Sequence, residues 1–292
     1  MTTDVRFGLY EKAMPDYLGW RERFAAAADL GYCFIEISVD ASPERLRRLE
    51  MGGSERQAVV RASAAAGIPI YAIVLSAHRD FPLGSANPAI ASRGASILSD
   101  AIDLASQLGI RIVQIAGYFD SAGHQDAASR MRFVDALRRG LDKAERMGVM
   151  LAIENVDGVD VATVAVAAEI ARELGSPWLS VYADVGNSTA NGADLAADLR
   201  SAQGRLTGVH LKDTRRNEYR RVPFGAGEVN FPLAFRTLAE VGYAGPLLVE
   251  MWCDNRPDWR ETALAARQWL EGAYEDNRAP PVRRSGVSDR TE

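Results

Sequence analysis

Four residues stand at the ends of four short apolar runs in the second half of the chain: Glu154, Asp184, His210 and Glu250. Val149–Ile153 runs straight into Glu154, Tyr182-Ala183 into Asp184, Gly208-Val209 into His210, and Leu248-Val249 into Glu250. An ionised carboxylate buried without a partner is costly, so an acid that ends a core strand must be paired with something. Strand alternation puts Ala152 with Glu154, Tyr182 with Asp184, Gly208 with His210, and Leu248 with Glu250 on shared faces. Four neighbouring strands would then deliver Glu, Asp, His and Glu into one cavity. Three carboxylates at close quarters repel one another and raise each other's pKa values. One divalent cation relieves that repulsion, because it becomes the largest local charge. Three oxygen donors and one imidazole suit Mn²⁺, Zn²⁺, Co²⁺ or Mg²⁺ without separating them. Singly, a strand-end Glu pairs with a cation, a lone His sits bonded in a core, and Asp184 starts a turn. Four in register on consecutive strand ends favour the metal site.

The elements that must position these residues follow from periodicity. Short β-branched runs alternate with longer stretches of helical spacing. Strands are predicted at Arg6–Tyr10, Cys33–Ser38, Pro69–Ser76, Arg111–Ala116, Val149–Glu154, Leu179–Ala183, Thr207–Leu211 and Leu247–Met251. Amphipathic helices are predicted at Tyr17–Leu30, Glu55–Ala66, Ser92–Leu108, Ala128–Met147, Val161–Leu174 and Trp259–Tyr274. Glycines 31, 67, 109, 148 and 242 precede strands, where the residue after a helix takes a left-handed backbone. Eight strand–helix units of near-even spacing predict an α/β fold, a single (β/α)8 TIM barrel, and no GxGxxG follows the first strand. Residues 1–276 read as one catalytic barrel domain. Residues 277–292, rich in Pro, Arg and Ser without apolar periodicity, read as a disordered tail.

Composition narrows the partners. The net charge of the 292-residue chain is −5, and its one dense basic cluster is Arg215-Arg216 with Arg220-Arg221. That argues against nucleic acid, whose phosphates require a basic footprint. Two cysteines, Cys33 and Cys253, are too few for a disulfide framework and read as buried free thiols. No basic-then-apolar leader stands at the start, and no apolar run approaches the roughly 20 residues that span a bilayer. A cytoplasmic protein without a membrane partner is expected.

The stretches LAIEN, YADVGN, GVHLKD, VPFGAGEVNF and LLVEMW resemble the xylose-isomerase-like TIM barrels of the sugar isomerase/epimerase superfamily. GLYEKA, FIEISVDAS and LSAHRDFPLGS narrow the resemblance to the L-ribulose-5-phosphate (L-xylulose-5-phosphate) 3-epimerases, along the chain to about residue 276. The resemblance implies a metal held by Glu154, Asp184, His210 and Glu250, the set read from the strand ends. It implies that Glu154 and Glu250 are the acid/base pair, inverting C3 of a ketopentose 5-phosphate by two-base proton transfer through an enediolate. From the ketose 3-epimerases it carries over a substrate-binding arginine in the R-x-V-P stretch. Arg220 fits, and the longer segment Asp213–Arg221 leaves Arg221 as the other choice. Barrels of this kind commonly pair, so a homo-oligomer, dimer or tetramer, is expected.

Further polar positions complete the expected site. Phosphate needs positive charge, and barrels often bind it after strands seven and eight, which points to Lys212 and the Arg215–Arg221 cluster. His78 and Arg79, after strand three, are placed to contact substrate. Asn187, three residues beyond Asp184, is suited to a sugar hydroxyl. Glu36 is either a further site residue or an ion-pair partner. Competing readings on the same metal site are a free-ketose 3-epimerase, a hydroxypyruvate isomerase, a hexulose-6-phosphate isomerase and an inosose dehydratase. An endonuclease IV-type nuclease would need more than the three histidines present. A non-catalytic sugar-binding barrel would not need the intact Glu/Asp/His/Glu set.

Overall fold

A computed structural model describes residues 6–121 and 126–277. Most of the predicted tail, and the N-terminal five residues, lie outside that range. Eight parallel strands close on themselves in chain order: β1 (Phe7–Tyr10), β2 (Phe34–Ser38), β3 (Ile70–Leu75), β4 (Ile112–Ala116), β5 (Met150–Glu154), β6 (Leu179–Asp184), β7 (Leu206–Leu211) and β8 (Leu247–Val249). Closure is made by β1 against β8, with Gly8 opposite Leu248. The predicted (β/α)8 barrel is the fold observed.

The outer layer comprises α1 (Trp20–Asp29), α2 (Pro43–Leu46), α3 (Gly53–Ala66), α4 (Pro88–Leu108), α5 (Ala127–Met147), α6 (Val164–Leu174), α7 (Val185–Ala190), α8 (Leu195–Ser201), α9 (Phe231–Glu240) and α10 (Trp259–Glu275). Helices α2, α7, α8 and α9 were not in the predicted set. The first three are short, but α9 carries a helix-start signature in Asn230, whose side chain caps Leu233 N, followed by Pro232. The five glycines that precede strands all adopt positive φ, between 65° and 77°. A side chain with a Cβ is strained there, which is why glycine ends each of those helices.

One apolar core lies between strands and helices, and two smaller clusters fill the barrel itself. Tyr182 projects inside and packs against the Gly208 backbone, where an added Cβ would meet its ring at 2.1 Å. Gly208 therefore makes room for the ring that forms the floor under the site. Among the described residues, no helix is long and apolar enough to cross a membrane. Cys253 is buried as expected, but Cys33 is exposed, because β2 begins one residue after it.

Candidate active site

The strand ends deliver the four residues to one place. One ligand atom from each of Glu154, Asp184, His210 and Glu250 lies within 4.8 Å of the others, and all four residues are buried. Glu154 is the last residue of β5, Asp184 the last of β6, and Asp184 stands opposite His210 in the β6–β7 register. Glu250 lies one residue past β8, yet its amide still bonds the Leu211 carbonyl of β7. That bond continues the alternation and turns Glu250 toward the cavity.

Three of the four donors are held by hydrogen bonds, some from residues singled out in the sequence (Asn187, Glu36) and some not (Asn155, Gln114). Asp184 caps α7: its Oδ1 accepts the Asn187 amide at 2.9 Å, leaving Oδ2 free of that role. Asn155 straddles β5 and β6, accepting from Asp184 N at 2.7 Å and donating to Asp184 O at 2.9 Å. Gln114 donates to Glu154 Oε2. His210 lies between two acids, with Nδ1 2.6 Å from Glu154 Oε1 and Nε2 3.0 Å from Glu36 Oε2. Tyr182 OH donates to the other Glu36 oxygen, so Glu36 is fully buried and fully bonded.

The donor set fits a cation. Asp184 Oδ2 and Glu250 Oε2 are buried and without a hydrogen bond. Lys212 Nζ forms ion pairs with them at 2.6 and 3.1 Å. Burial, reinforced by Glu250 and Glu154, pushes the Asp184 carboxyl up to about 7 despite Lys212. Burial also works against ionisation of Glu250, but Lys212 and His210 outweigh it and lower that carboxyl. Burial disfavours the His210 cation, yet Glu154 and Glu36 raise its pKa well above the ordinary histidine value. The cluster is short of positive charge, and three carboxylate oxygens with one imidazole nitrogen are suitable ligands for Mn²⁺, Zn²⁺, Co²⁺ or Mg²⁺.

Glu154, Glu250 and Lys212 line a cavity of about 360 Å³ at the carboxyl ends of the strands, with Asp184 and His210 fully buried behind them. Of the expected substrate contacts, Asn187, Lys212 and Arg220 line it, and His78 does not. His78 is buried against α4 with Nε2 3.2 Å from the Gly94 carbonyl, and its neighbour Arg79 faces the cavity instead. Arg220 reaches Asp157 at 3.5 Å and lies over the Trp252 ring, whereas Arg221 is turned outward in a bidentate pair with Asp254. The expected Arg215–Arg221 cluster is therefore not one binding surface. Arg215 is consumed by the Ala226 carbonyl and Glu218 in a turn. Lys212, expected at a phosphate, is bound into the acid cluster and donates to Asn187 Oδ1 at 3.0 Å.

The loop that carries Arg220 is gathered at its two ends by one buried residue. Asp213, 2% exposed, accepts backbone N–H bonds from Thr214, Gly225, Gly227 and Val229. A Cβ at Gly227 would sit 2.0 Å from the Asp213 carboxylate, so glycine is required there.

A closed (β/α)8 barrel with this strand-end cluster defines a class, and the chain belongs to it: the xylose isomerase-like TIM barrel family, whose family model matches residues 24–273. Within that family the chain is 38% identical, over 271 residues, to proteins named L-ribulose-5-phosphate 3-epimerase UlaE in Escherichia coli O157:H7 and in Salmonella heidelberg (strain SL476). Those matches cover 93% of this chain and 95% of each relative. Among solved structures, D-psicose 3-epimerase from Clostridium cellulolyticum H10 superposes with a TM-score of 0.77 at 16% identity, covering 92% of this chain and 99% of that one. An L-ribulose 3-epimerase superposes with a TM-score of 0.77 at 22% identity, covering 94% and 95%. Both share the fold.

Proposed function

We propose that the protein is a metal-dependent ketose 3-epimerase that interconverts L-ribulose 5-phosphate and L-xylulose 5-phosphate. The observation that carries the reading is the convergence of Glu154, Asp184, His210 and Glu250 within 4.8 Å at the carboxyl ends of β5 to β8. The relatives' name supplies the substrate. When bound by these four residues, one divalent ion supplies Lewis-acid polarisation of carbonyl and hydroxyl oxygens.

The chain's own residues do the proton chemistry. Glu154 and Glu250 come from β5 and the end of β8, with carboxylate oxygens 2.6 and 3.8 Å from Nδ1 of His210. One takes the C3 proton from one face of the sugar, and the other returns a proton to the opposite face of the planar enediolate. The exchange of roles in the reverse direction makes the reaction reversible. Gln114 orients the carboxylate of Glu154, while Lys212 and the charge of Arg220 keep Glu250 in its ionised form. Asn187, Lys212 and Arg220 lie where hydroxyls and the developing enediolate oxygen need donors. A phosphorylated sugar is retained inside the cell, in keeping with a cytoplasmic location.

The test is turnover of L-ribulose 5-phosphate to L-xylulose 5-phosphate followed by NMR. Activity is expected to disappear on chelation and to return with one equivalent of a divalent ion. A fully active chelated protein would contradict the reading.

A further inference from the structure

Among the described residues, every non-glycine position with positive φ lies in two loops beside the reacting end. Asn217 and Arg221 belong to the β7–α9 loop, Asp254 and Asn255 to the β8–α10 loop. Asparagine and aspartate enter the left-handed region readily, because their short side chains bond locally. Arg221, at φ 63°, is the one long side chain held there. Such a conformation is strained and persists only where the surroundings impose it.

Those surroundings stitch the β7–α9 loop to three neighbours through three consecutive side chains. Tyr219 OH donates to Asn191 Oδ1 at 2.7 Å, at the end of α7. Arg220 turns into the cavity, 3.5 Å from Asp157 and 5.6 Å from the centroid of the Trp252 ring. Arg221 grips Asp254, its Nε and Nη2 donating to the two carboxylate oxygens at 2.5 and 2.8 Å. Neither Arg221 nor Asp254 lines this cavity.

The segment that carries Asp254 is itself fixed to the β1 side. The Cys253 amide donates to the Lys12 carbonyl at 2.9 Å, and Asn255 Oδ1 accepts from the Asp16 amide at 2.8 Å. Trp252 and Asp254 therefore stand two residues apart on one anchored stretch. A bidentate pair fixes orientation as well as charge. Holding Arg221 against Asp254 thus sets where its neighbour Arg220 stands relative to Trp252. The pair is about half open to water, 59% at Arg221 and 46% at Asp254. A pair so exposed contributes little to global stability. The strain at Arg221 is then accounted for by what it places.

We infer that Arg221 and Asp254 are positioning residues: their pair clasps the β7–α9 loop to the β8–α10 loop and holds the Arg220 guanidinium over Trp252, facing the cavity. This inference rests on the ketose-phosphate reading above and deepens it. Arg221 acts on the substrate only through Arg220.

The experiment measures kcat and KM for L-ribulose 5-phosphate, and the denaturant midpoint, on full-length, metal-loaded protein. Wild type is compared with Asp254→Asn, Arg221→Gly, Arg220→Gln and the double variant Arg220→Gln/Arg221→Gly. Asparagine keeps the left-handed tolerance of position 254 and removes the charge and one acceptor, whereas glycine relieves the strain at 221. KM should rise about three- to fivefold in Asp254→Asn and in Arg221→Gly with a smaller change in kcat, the mark of lost binding shared by ground and transition states. Midpoints should stay at the wild-type value. In the Arg220→Gln background, Arg221→Gly should add no further rise, because the residue through which it acts is gone. An unchanged KM in both single variants, a rise undiminished in the Arg220→Gln background, or a rise matched by a fallen midpoint would overturn the positioning role and leave the substrate reading standing. A wild type that does not turn over L-ribulose 5-phosphate would overturn the substrate reading, and the positioning role with it.

Discussion

Glu36 holds His210 from the side away from the other donors: its Oε2 lies 3.0 Å from Nε2, while Nδ1 faces Glu154 at 2.6 Å. Tyr182 closes the arrangement by donating to Glu36 Oε1. With a divalent ion bound, a carboxylate on Nε2–H would select the tautomer whose Nδ1 lone pair is free to ligate the ion.

Glu36→Gln puts an amide group against His210 Nε2 at nearly constant volume. Divalent-ion affinity of the apo protein should fall about 10- to 100-fold, the usual effect of removing such a partner. Calorimetric titration of the ion into wild type and variant measures it. Equal affinities would mean that Glu36 only fills space.

Asp213 gathers four backbone N–H groups at the two ends of the loop that carries Arg220. In Asp213→Ala those buried donors lose their acceptor, and stability should drop by about 2–3 kcal/mol. Because Arg220 loses its anchored loop, KM should also rise, with a smaller change in kcat. Denaturant unfolding and steady-state kinetics check both parts. A variant with an unchanged midpoint would show that the loop is held elsewhere.

His78 gives a pH signature separate from the site. Burial lowers its pKa to about 4, against a small opposing effect of the Gly94 carbonyl. Above about 6.5 the imidazole is neutral in both folded and unfolded chains and has no effect on pH dependence. Below it the unfolded chain binds a proton that the folded protein refuses, so stability falls as pH drops from about 6.5 toward 4. The full loss from this residue is about 3 kcal/mol. In His78→Gln the decline between pH 7 and 4.5 should be shallower by most of that amount. Denaturant midpoints at the two pH values test it, and parallel declines in the two proteins would contradict the assignment.

Much of the site was legible because strands alternate with a fixed period. Reading Ala152 with Glu154 and Gly208 with His210 places both pairs on the inner face without any tertiary information, and Glu250 follows even one residue past its strand. The period gives no guidance where the backbone changes type. Beyond Leu75 the chain enters a 3₁₀ turn, so the expected contact at His78 moves to its neighbour Arg79. Partners distant in sequence were equally hidden. Glu36 lies 174 residues from His210, and strand alternation alone cannot separate a free strand-end acid from one committed to an imidazole. Charge density misled at Arg215–Arg221, because Arg215, Arg220 and Arg221, close in sequence, find three different surroundings in an irregular loop. Helix α9 was missed although Asn230 and Pro232 mark its start, since the long loop before it interrupts the strand–helix rhythm.

Glu154 and Glu250 are proposed to exchange the C3 proton across the sugar. This exchange is tested most directly by incubating the metal-loaded protein with L-ribulose 5-phosphate in D₂O and reading C3 of the product by NMR. Two-base exchange places solvent deuterium at C3 of L-xylulose 5-phosphate. Turnover should also fall by at least about 10²–10⁴-fold in Glu154→Gln and in Glu250→Gln. Product formed without deuterium at C3 would contradict two-base exchange and point to hydride transfer within the sugar.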